Sequence, residues 1–191
     1  MGYIQDDPVF IQNRQKRKQK LLAGIDISNS LGIEIGALCR PFVTRDEGSI
    51  VYVDYTDTQT LREKYATDPD VDPSRIVDVD AIWGSDSLLT ALSGRQFDYV
   101  VASHVVEHVP DLITWLREVG SVLKPSGELR LIVPDKRFTF DYFRRKTQFS
   151  DVLLSYMVGA RVPQPHSLLD FCLNVVRAEE VNPWKKRPSP D

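Results

Sequence analysis

The chain has 191 residues, 42% of them hydrophobic, which suits one compact domain with a sizeable core and leaves too little chain for two. A formal net charge of −3 excludes a global attraction to nucleic acid or to an anionic membrane, and no apolar run approaches the roughly 18 residues of a membrane-spanning helix. The two cysteines, Cys39 and Cys172, match no zinc or redox spacing, so plain thiols in a reducing, cytoplasmic setting are expected.

The first residues are acidic where a signal peptide needs a basic start, and Asp6 stands where a myristoylated Gly2 would need Ser or Thr. Residues 1–30 read as a helical lead-in. Its basic cluster, Arg14, Lys16, Arg17, Lys18 and Lys20, is expected to be a solvated helix face, with an acidic partner as the alternative. Residues 31–35 form a short apolar strand broken by Gly36, and 50–53 a second ended by Asp54. The intervening stretch just meets the length of a parallel crossover, but Pro41 and the polar run after it predict an irregular connection.

Residues 58–66 read as a helix, 68–73 as a turn, and 76–83 contain a third strand. Residues 97–102 are continuously apolar, as a central parallel strand covered on both faces should be. After Pro110, the side chains Leu112, Leu116, Val119 and Leu123 recur at i, i+4, i+7 and i+11, predicting an amphipathic helix closed by Lys124-Pro125-Ser126-Gly127. Residues 129–133 supply a fifth strand. This alternation predicts an α/β fold: a Rossmann-like, doubly wound, mostly parallel sheet with helices on both faces and ligands at the carboxyl edge, spanning 31–134. Residues 135–191 read as a helical region (138–145, 152–158, 168–176) and a proline-containing tail at 182–191, with no segment that reads as a closing antiparallel strand pair.

Four pieces with chemical character stand, in order, at the ends of predicted strands. Glu34-Ile35-Gly36 closes the first strand. Asp54 closes the second, at the spacing from Glu34 at which a nucleotide-binding βαβ unit presents an acid to a ribose diol. Gly84-Ser85-Asp86-Ser87 follows the third and offers polar groups to a base edge. The fourth piece begins at Asp98, runs through Ser103, His104, Glu107, His108 and Asp111, and leads into the amphipathic helix.

On these residues the chain resembles the class I S-adenosylmethionine-dependent methyltransferases from about Leu31 to Pro134. The block from Asp98 through Glu107-His108, Lys124-Pro125-Ser126-Gly127 and the fifth strand carries the likeness best. It is also similar to methyltransferase domains associated with glycosyltransferases, through Ile35-Gly36-Ala37-Leu38 with Arg40-Pro41, and through residues 133–141. The resemblance implies S-adenosylmethionine as cofactor, with Glu34, Gly36 and Ala37 at its methionine end, Asp54 on the ribose, Ser85 and Asp86 flanking the adenine, and Ser103 and His104 closing the pocket. It further implies a small-molecule or carbohydrate acceptor and an association with glycosyltransferases; neither nucleic acid nor membrane is expected as a partner. One departure stands out. Ala37, Leu38 and Cys39 occupy positions where the family carries further glycines, which a pyrophosphate-bearing dinucleotide would need and a phosphate-free cofactor would not.

For transfer to oxygen, His104 is the expected general base, since imidazole is the side chain that ordinarily titrates nearest neutrality, and Asp135 is the second candidate. Each residue also has a structural reading: Gly36 as turn glycine, Asp54 as the cap of the next helix, Ser85 and Asp86 as turn chemistry. Two other functions compete. His104-Val-Val-Glu107-His108 matches a zinc-peptidase pattern, or a metal site with His166 that orients a substrate hydroxyl, although Pro110 leaves no long helix to hold it. A methyltransferase-like module without turnover would account for the glycine-poor loop.

Overall fold

A computed structural model of the chain describes residues 7–176. The tail expected at 182–191 lies outside them. The described residues fall into two compact units, one within Met1–Val105 and Arg117–Ile132, the other within Val106–Leu116 and Val133–Asp191.

The first unit holds a five-stranded sheet of β1 (Leu31–Ile35), β2 (Ser49–Asp54), β3 (Ala81–Ile82), β4 (Phe97–Ser103) and β5 (Leu123–Ile132), in the order β3-β2-β1-β4-β5. All four pairings are parallel. The chain winds outward from β1 in both directions, so β1 and β4 flank the switch point where an open α/β sheet leaves a crevice at its carboxyl edge. Both alternating sets of side chains are buried: Glu34, Ile50, Tyr52, Tyr99 and Val101 on one face, and Ile33, Ile35, Val51, Val53 and Val100 on the other.

Gly32 in β1 has a packing reason. A Cβ there would sit 2.1 Å from the Tyr99 ring, so the missing side chain lets that ring lie across the strand. The Tyr99 hydroxyl is fully buried and has no hydrogen-bond partner among the described residues.

Helix α1 (Pro8–Leu21) is started by Asp7, whose carboxylate accepts from Val9 N and Phe10 N, with Pro8 in the first turn. Phe10, Arg14, Arg17, Lys18 and Leu21 fall on one stripe at helical spacing. Only Leu21 of this helix is fully buried. The expectation of a wholly solvated basic face is corrected here: Lys18 pairs with Glu47, and Arg14 lies 4.2 Å over the Phe42 ring while donating to the carbonyls of Arg40 and Pro41. The basic residues lacked carboxylates nearby in sequence, so their partners were invisible there. Lys16 and Lys20 remain exposed.

The crossover from β1 to β2 contains no helix, as Pro41 and the polar run predicted. Helix α2 (Thr58–Lys64) follows β2 and is capped by Asp57, which accepts from Thr60 N at 2.9 Å. The capping reading of Asp54 is thereby displaced by three residues. β3 is shorter than the predicted segment because the Asp80 carboxylate takes the Tyr52 N–H at 2.8 Å, substituting for a ladder bond. Helix α3 (Leu88–Ala91) follows. In α4 (Leu112–Val122) the buried side chains are Trp115, Val119 and Val122, whereas Leu116 is exposed. The stripe is rotated from the one expected because both sets share the same period. The turn expected at Lys124-Pro125-Ser126-Gly127 is corrected: these residues fall inside β5, where the register against β4 shifts between the Phe97–Leu123 and Tyr99–Glu128 pairs.

In the second unit, α5 (Phe149–Met157) and α6 (Pro165–Asn174) match the stretches expected at 152–158 and 168–176 with shifted ends, whereas the helix expected at 138–145 is absent, that segment being turns after the 3-10 turn Lys136–Phe138. Arg144 donates to Asp170 at 2.8 Å and to Asp141 at 3.1 Å, and the Val176 N–H donates to the Phe140 carbonyl, tying the segment together. Among the described residues no antiparallel strand pair follows β5. No described helix is long and apolar enough to cross a membrane.

Candidate functional site

A cavity of about 350 Å³ opens at the carboxyl ends of β1 and β4. Its walls are Phe10, Arg14 and Arg17 of α1, Glu34, the loop residues Gly36, Ala37, Leu38, Arg40 and Phe42, and Ser103 and His104. The volume falls within the range of roughly 300–1,000 Å³ typical of small-molecule sites.

The loop after β1 owes its path to three anchors. Gly36 has φ +68°, its N–H donates to the Val53 carbonyl, and a Cβ would meet Val105 Cγ2 at 2.9 Å. Only glycine fits such a turn without strain. Glu34, 2% exposed, accepts from Phe42 N at 2.8 and 2.9 Å and from Val43 N at 3.1 Å. Arg14 clasps the carbonyls at Arg40 and Pro41 from the other side. Burial pushes the Glu34 carboxyl up to about 7, against the pull of the two backbone N–H donors and of the Arg14 and Lys18 charges. Its oxygens are thus directed to the loop backbone.

Two lining residues without the freedom of glycine adopt left-handed backbone, Leu38 at φ 48° and His104 at φ 56°. For an L-residue this conformation costs about 1–2 kcal/mol and collects at functional sites. The His104 backbone is held by its N–H to the Ile132 carbonyl at 2.9 Å, just after Ser103 ends β4.

Asp54 stands at the carboxyl edge of β2, 8% exposed. Its Oδ1 accepts from Tyr55 N at 2.8 Å, and Oδ2 has no donor among the described residues. Burial raises its pKa above the ordinary carboxylate value. It is not among the residues lining the cavity. Ser85 and Asp86 lie exposed between β3 and α3. That loop is fixed by Glu118, whose Oε2 accepts from Trp83 Nε1 at 3.1 Å and from Leu88 N at 2.7 Å.

The structure therefore brings Glu34, Gly36, Ala37, Ser103 and His104 together around one cavity, leaves Asp54 at the neighbouring strand end, and sets Ser85 and Asp86 on the loop beyond β3. Asp135 belongs to the second unit, where it caps a short 3-10 turn, Lys136–Phe138, and pairs with Arg137 at 2.6 Å. That pairing pulls its carboxyl down to about 2, which makes it a weak base.

The histidine pattern is laid out differently from a zinc-peptidase helix. His104 ends a strand, and Val106–His108 is a single 3-10 turn, so the two imidazoles do not share a helical face. Among the described residues no group of three or more His, Cys, Asp or Glu is arranged to hold a metal ion. Asp98, prominent in the sequence, serves the scaffold by accepting from Leu31 N at 2.9 Å and from Lys124 at 2.8 Å.

Sequence reasoning missed the α1 side of the cavity, Leu38 as a strained residue, and Glu118. Only the helical spacing of Phe10, Arg14 and Arg17 signalled a shared face; nothing in the sequence said what that face meets.

A family model described as a methyltransferase domain matches residues 16–129. The chain is 29% identical over 128 residues to a ubiquinone biosynthesis O-methyltransferase of Bradyrhizobium diazoefficiens, covering 66% of this chain and 47% of that protein. It is 28% identical over 128 residues to the protein of the same description from Mesorhizobium japonicum, covering 66% and 48%. The chain thus spans about half the length of the curated relatives it matches. Among solved structures, the DhpI–SAH complex aligns with a TM-score of 0.42 and 19% identity over 88% of this chain and 78% of that one.

Proposed function

The chain belongs to the class I S-adenosylmethionine-dependent methyltransferase domain family, and from that premise we propose that it transfers a methyl group to a hydroxyl oxygen of a small molecule. The observation that carries the reading is the convergence of Gly36, Leu38 and His104, all with left-handed backbone, on one cavity at the switch point of the sheet. Oxygen as acceptor atom is supported by the description of the curated relatives as O-methyltransferases. A carbohydrate acceptor and an association with glycosyltransferases rest on the sequence resemblance alone.

The residues fit the cofactor. A nearly buried carboxylate at the end of β2 with one oxygen lacking a donor suits a ribose diol, and the cavity beside it is roomy enough for an amino-acid moiety. When bound, S-adenosylmethionine supplies a sulfonium-activated methyl group, so alignment and proton removal are what the protein must add. In this reading Asp54 accepts from the ribose hydroxyls, Gly36 and Ala37 pass close to the methionine moiety, and Ser85 and Asp86 border the adenine. Glu34 holds the loop that shapes the pocket. His104, at the mouth, takes the proton from the acceptor hydroxyl at an imidazole nitrogen.

Calorimetric titration with S-adenosylmethionine and S-adenosylhomocysteine, paired with methyl transfer to a panel of hydroxylated small molecules, tests this. Binding of both, with turnover lost in His104→Ala, is expected; no binding overturns it. The glycine-poor loop, with Ala37, Leu38 and Cys39 after Gly36, favours one second reading, a cofactor-binding module without turnover. Binding without transfer to any acceptor would select that reading.

A further inference from the structure

Strand β5 closes one side of the sheet: β4 pairs with it on the inner side, and no described strand lies beyond it. Its register against β4 shifts between Phe97 and Tyr99, and from Glu128 to Ile132 the pairing runs without interruption. The Ile132 carbonyl accepts from His104 N at 2.9 Å, so the backbone groups of Ile132 face β4. Backbone direction alternates along a strand, which turns Glu128 and Arg130 toward β4 as well and aims the N–H and carbonyl groups of Leu129 and Leu131 out of the sheet. Neither leucine has a backbone hydrogen bond on that side among the described residues. Such a row is a template for another strand, and edges are ordinarily blunted by proline, lysine or a bulge. Residues 128–132 contain neither proline nor lysine, and the register shift lies before them. Leu131, on this edge, is 37% exposed.

We infer that this edge pairs with the same edge of a second copy of the chain, antiparallel across a twofold axis at Leu129. Charge decides the register. With Leu129 opposite Leu129, the outward groups of the two leucines exchange both hydrogen bonds, Leu131 stands opposite Gly127, and Glu128 stands directly opposite Arg130 of the second copy. Residues 128 and 130 project from the same face of β5, where Arg130 already meets Glu128 of its own chain. The axis repeats the contact, so each copy presents an acid and a base that the other complements. These positions are the non-hydrogen-bonded ones of an antiparallel pair, whose side chains approach most closely. Sliding the strands by two residues either way sets Glu128 against Glu128 or Arg130 against Arg130, which like charges disfavour. A five-residue contact is small, so the dimer is reversible, with a dissociation constant on the order of 10 µM. It stands independently of the cofactor reading.

The test follows the full chain by sedimentation velocity from about 1 to about 500 µM, with amide exchange read residue by residue by nuclear magnetic resonance. Wild type is expected to pass from monomer to dimer, with protection of the Leu129 and Leu131 N–H groups rising with concentration while that of Arg130, bonded to β4, stays constant. Leu131→Pro removes an outward donor and leaves the β4 ladder intact, so it should match wild type in thermal unfolding and lose the dimer. Glu128→Arg and Arg130→Glu each set like charges opposite one another twice, and each alone should weaken the dimer roughly tenfold or more. An equimolar mixture of the two restores opposite charges at both contacts and should associate as wild type does. If Leu131→Pro fails to fold, the charge variants and their mixture decide alone. Wild type that stays monomeric at about 500 µM overturns the proposal. A dimer that these variants leave unchanged overturns it as well, since the contact then lies elsewhere. Full protection of Leu129 and Leu131 in the dilute monomer does the same, because another segment of the chain then occupies the edge.

Discussion

Glu34 gives the fold a pH dependence opposite in sign to that of an ordinary paired carboxylate. A glutamate titrates near 4.5 when unfolded, whereas burial holds Glu34 at about 7 in the native protein. Between those values the folded state binds more proton than the unfolded state, so Glu34's contribution to stability is fully present below pH 4.5 and is lost as pH rises through 7. At 1.36 kcal/mol per pKa unit the loss across this window is about 3 kcal/mol. The perturbation is Glu34→Gln, which keeps the shape, cannot ionise, and sets one amide N–H₂ group against the backbone N–H groups of Phe42 and Val43. The assay is urea unfolding of both proteins at constant ionic strength from pH 4.5 to 8. Carboxylates with lowered pKa, such as Asp26, Asp57 and Asp98, act at lower pH and are common to both proteins, so they cancel in the difference. The wild-type advantage over Glu34→Gln is expected to shrink by about 3 kcal/mol as pH rises across the window. A difference that stays flat to within about 0.5 kcal/mol would refute the argument, because it would mean that Glu34 titrates alike in both states.

Asp54→Ala should weaken S-adenosylhomocysteine about ten- to a hundredfold, since a charged acceptor to two hydroxyls is removed, while Asp57→Ala should lower the unfolding midpoint and leave affinity intact. The reverse assignment, read by calorimetry and thermal melts on the same samples, would exchange the binding and capping roles. Tyr99→Phe removes a buried hydroxyl without a partner and should raise stability by about 1 kcal/mol in chemical denaturation; a loss of stability would show that the hydroxyl is satisfied. His104→Gly should be about 1 kcal/mol more stable than His104→Ala, because glycine relieves the left-handed backbone. Both should lose roughly a hundredfold or more in methyl transfer, and equal stability of the two would refute the strain while unchanged turnover would refute the base.

The sequence by itself determined the position and order of the strands, because these rest on local rules: short apolar runs bounded by turn residues for strands covered on both faces, a 3.6-residue period for helices, and the backbone freedom of Gly36. The strand-end placement of Glu34, Asp54 and His104 was legible for the same reason. The rotation of α4 was not, since Trp115-Val119-Val122 and Leu112-Leu116-Val119 have one period and only packing chooses between them. Nor was the role of Asp98, whose partner Leu31 lies 67 residues away. The cavity is the clearest case. Its basic wall exists because Arg14 reaches Pro41 across 27 residues and Lys18 reaches Glu47 across 29, which turns a cluster that reads locally as solvated charge toward the loop after β1. Glu118, which fixes the loop after β3 by bonding Trp83 35 residues away, belongs to the same class. Such contacts follow from chain closure in three dimensions, and no periodicity within a single segment encodes them.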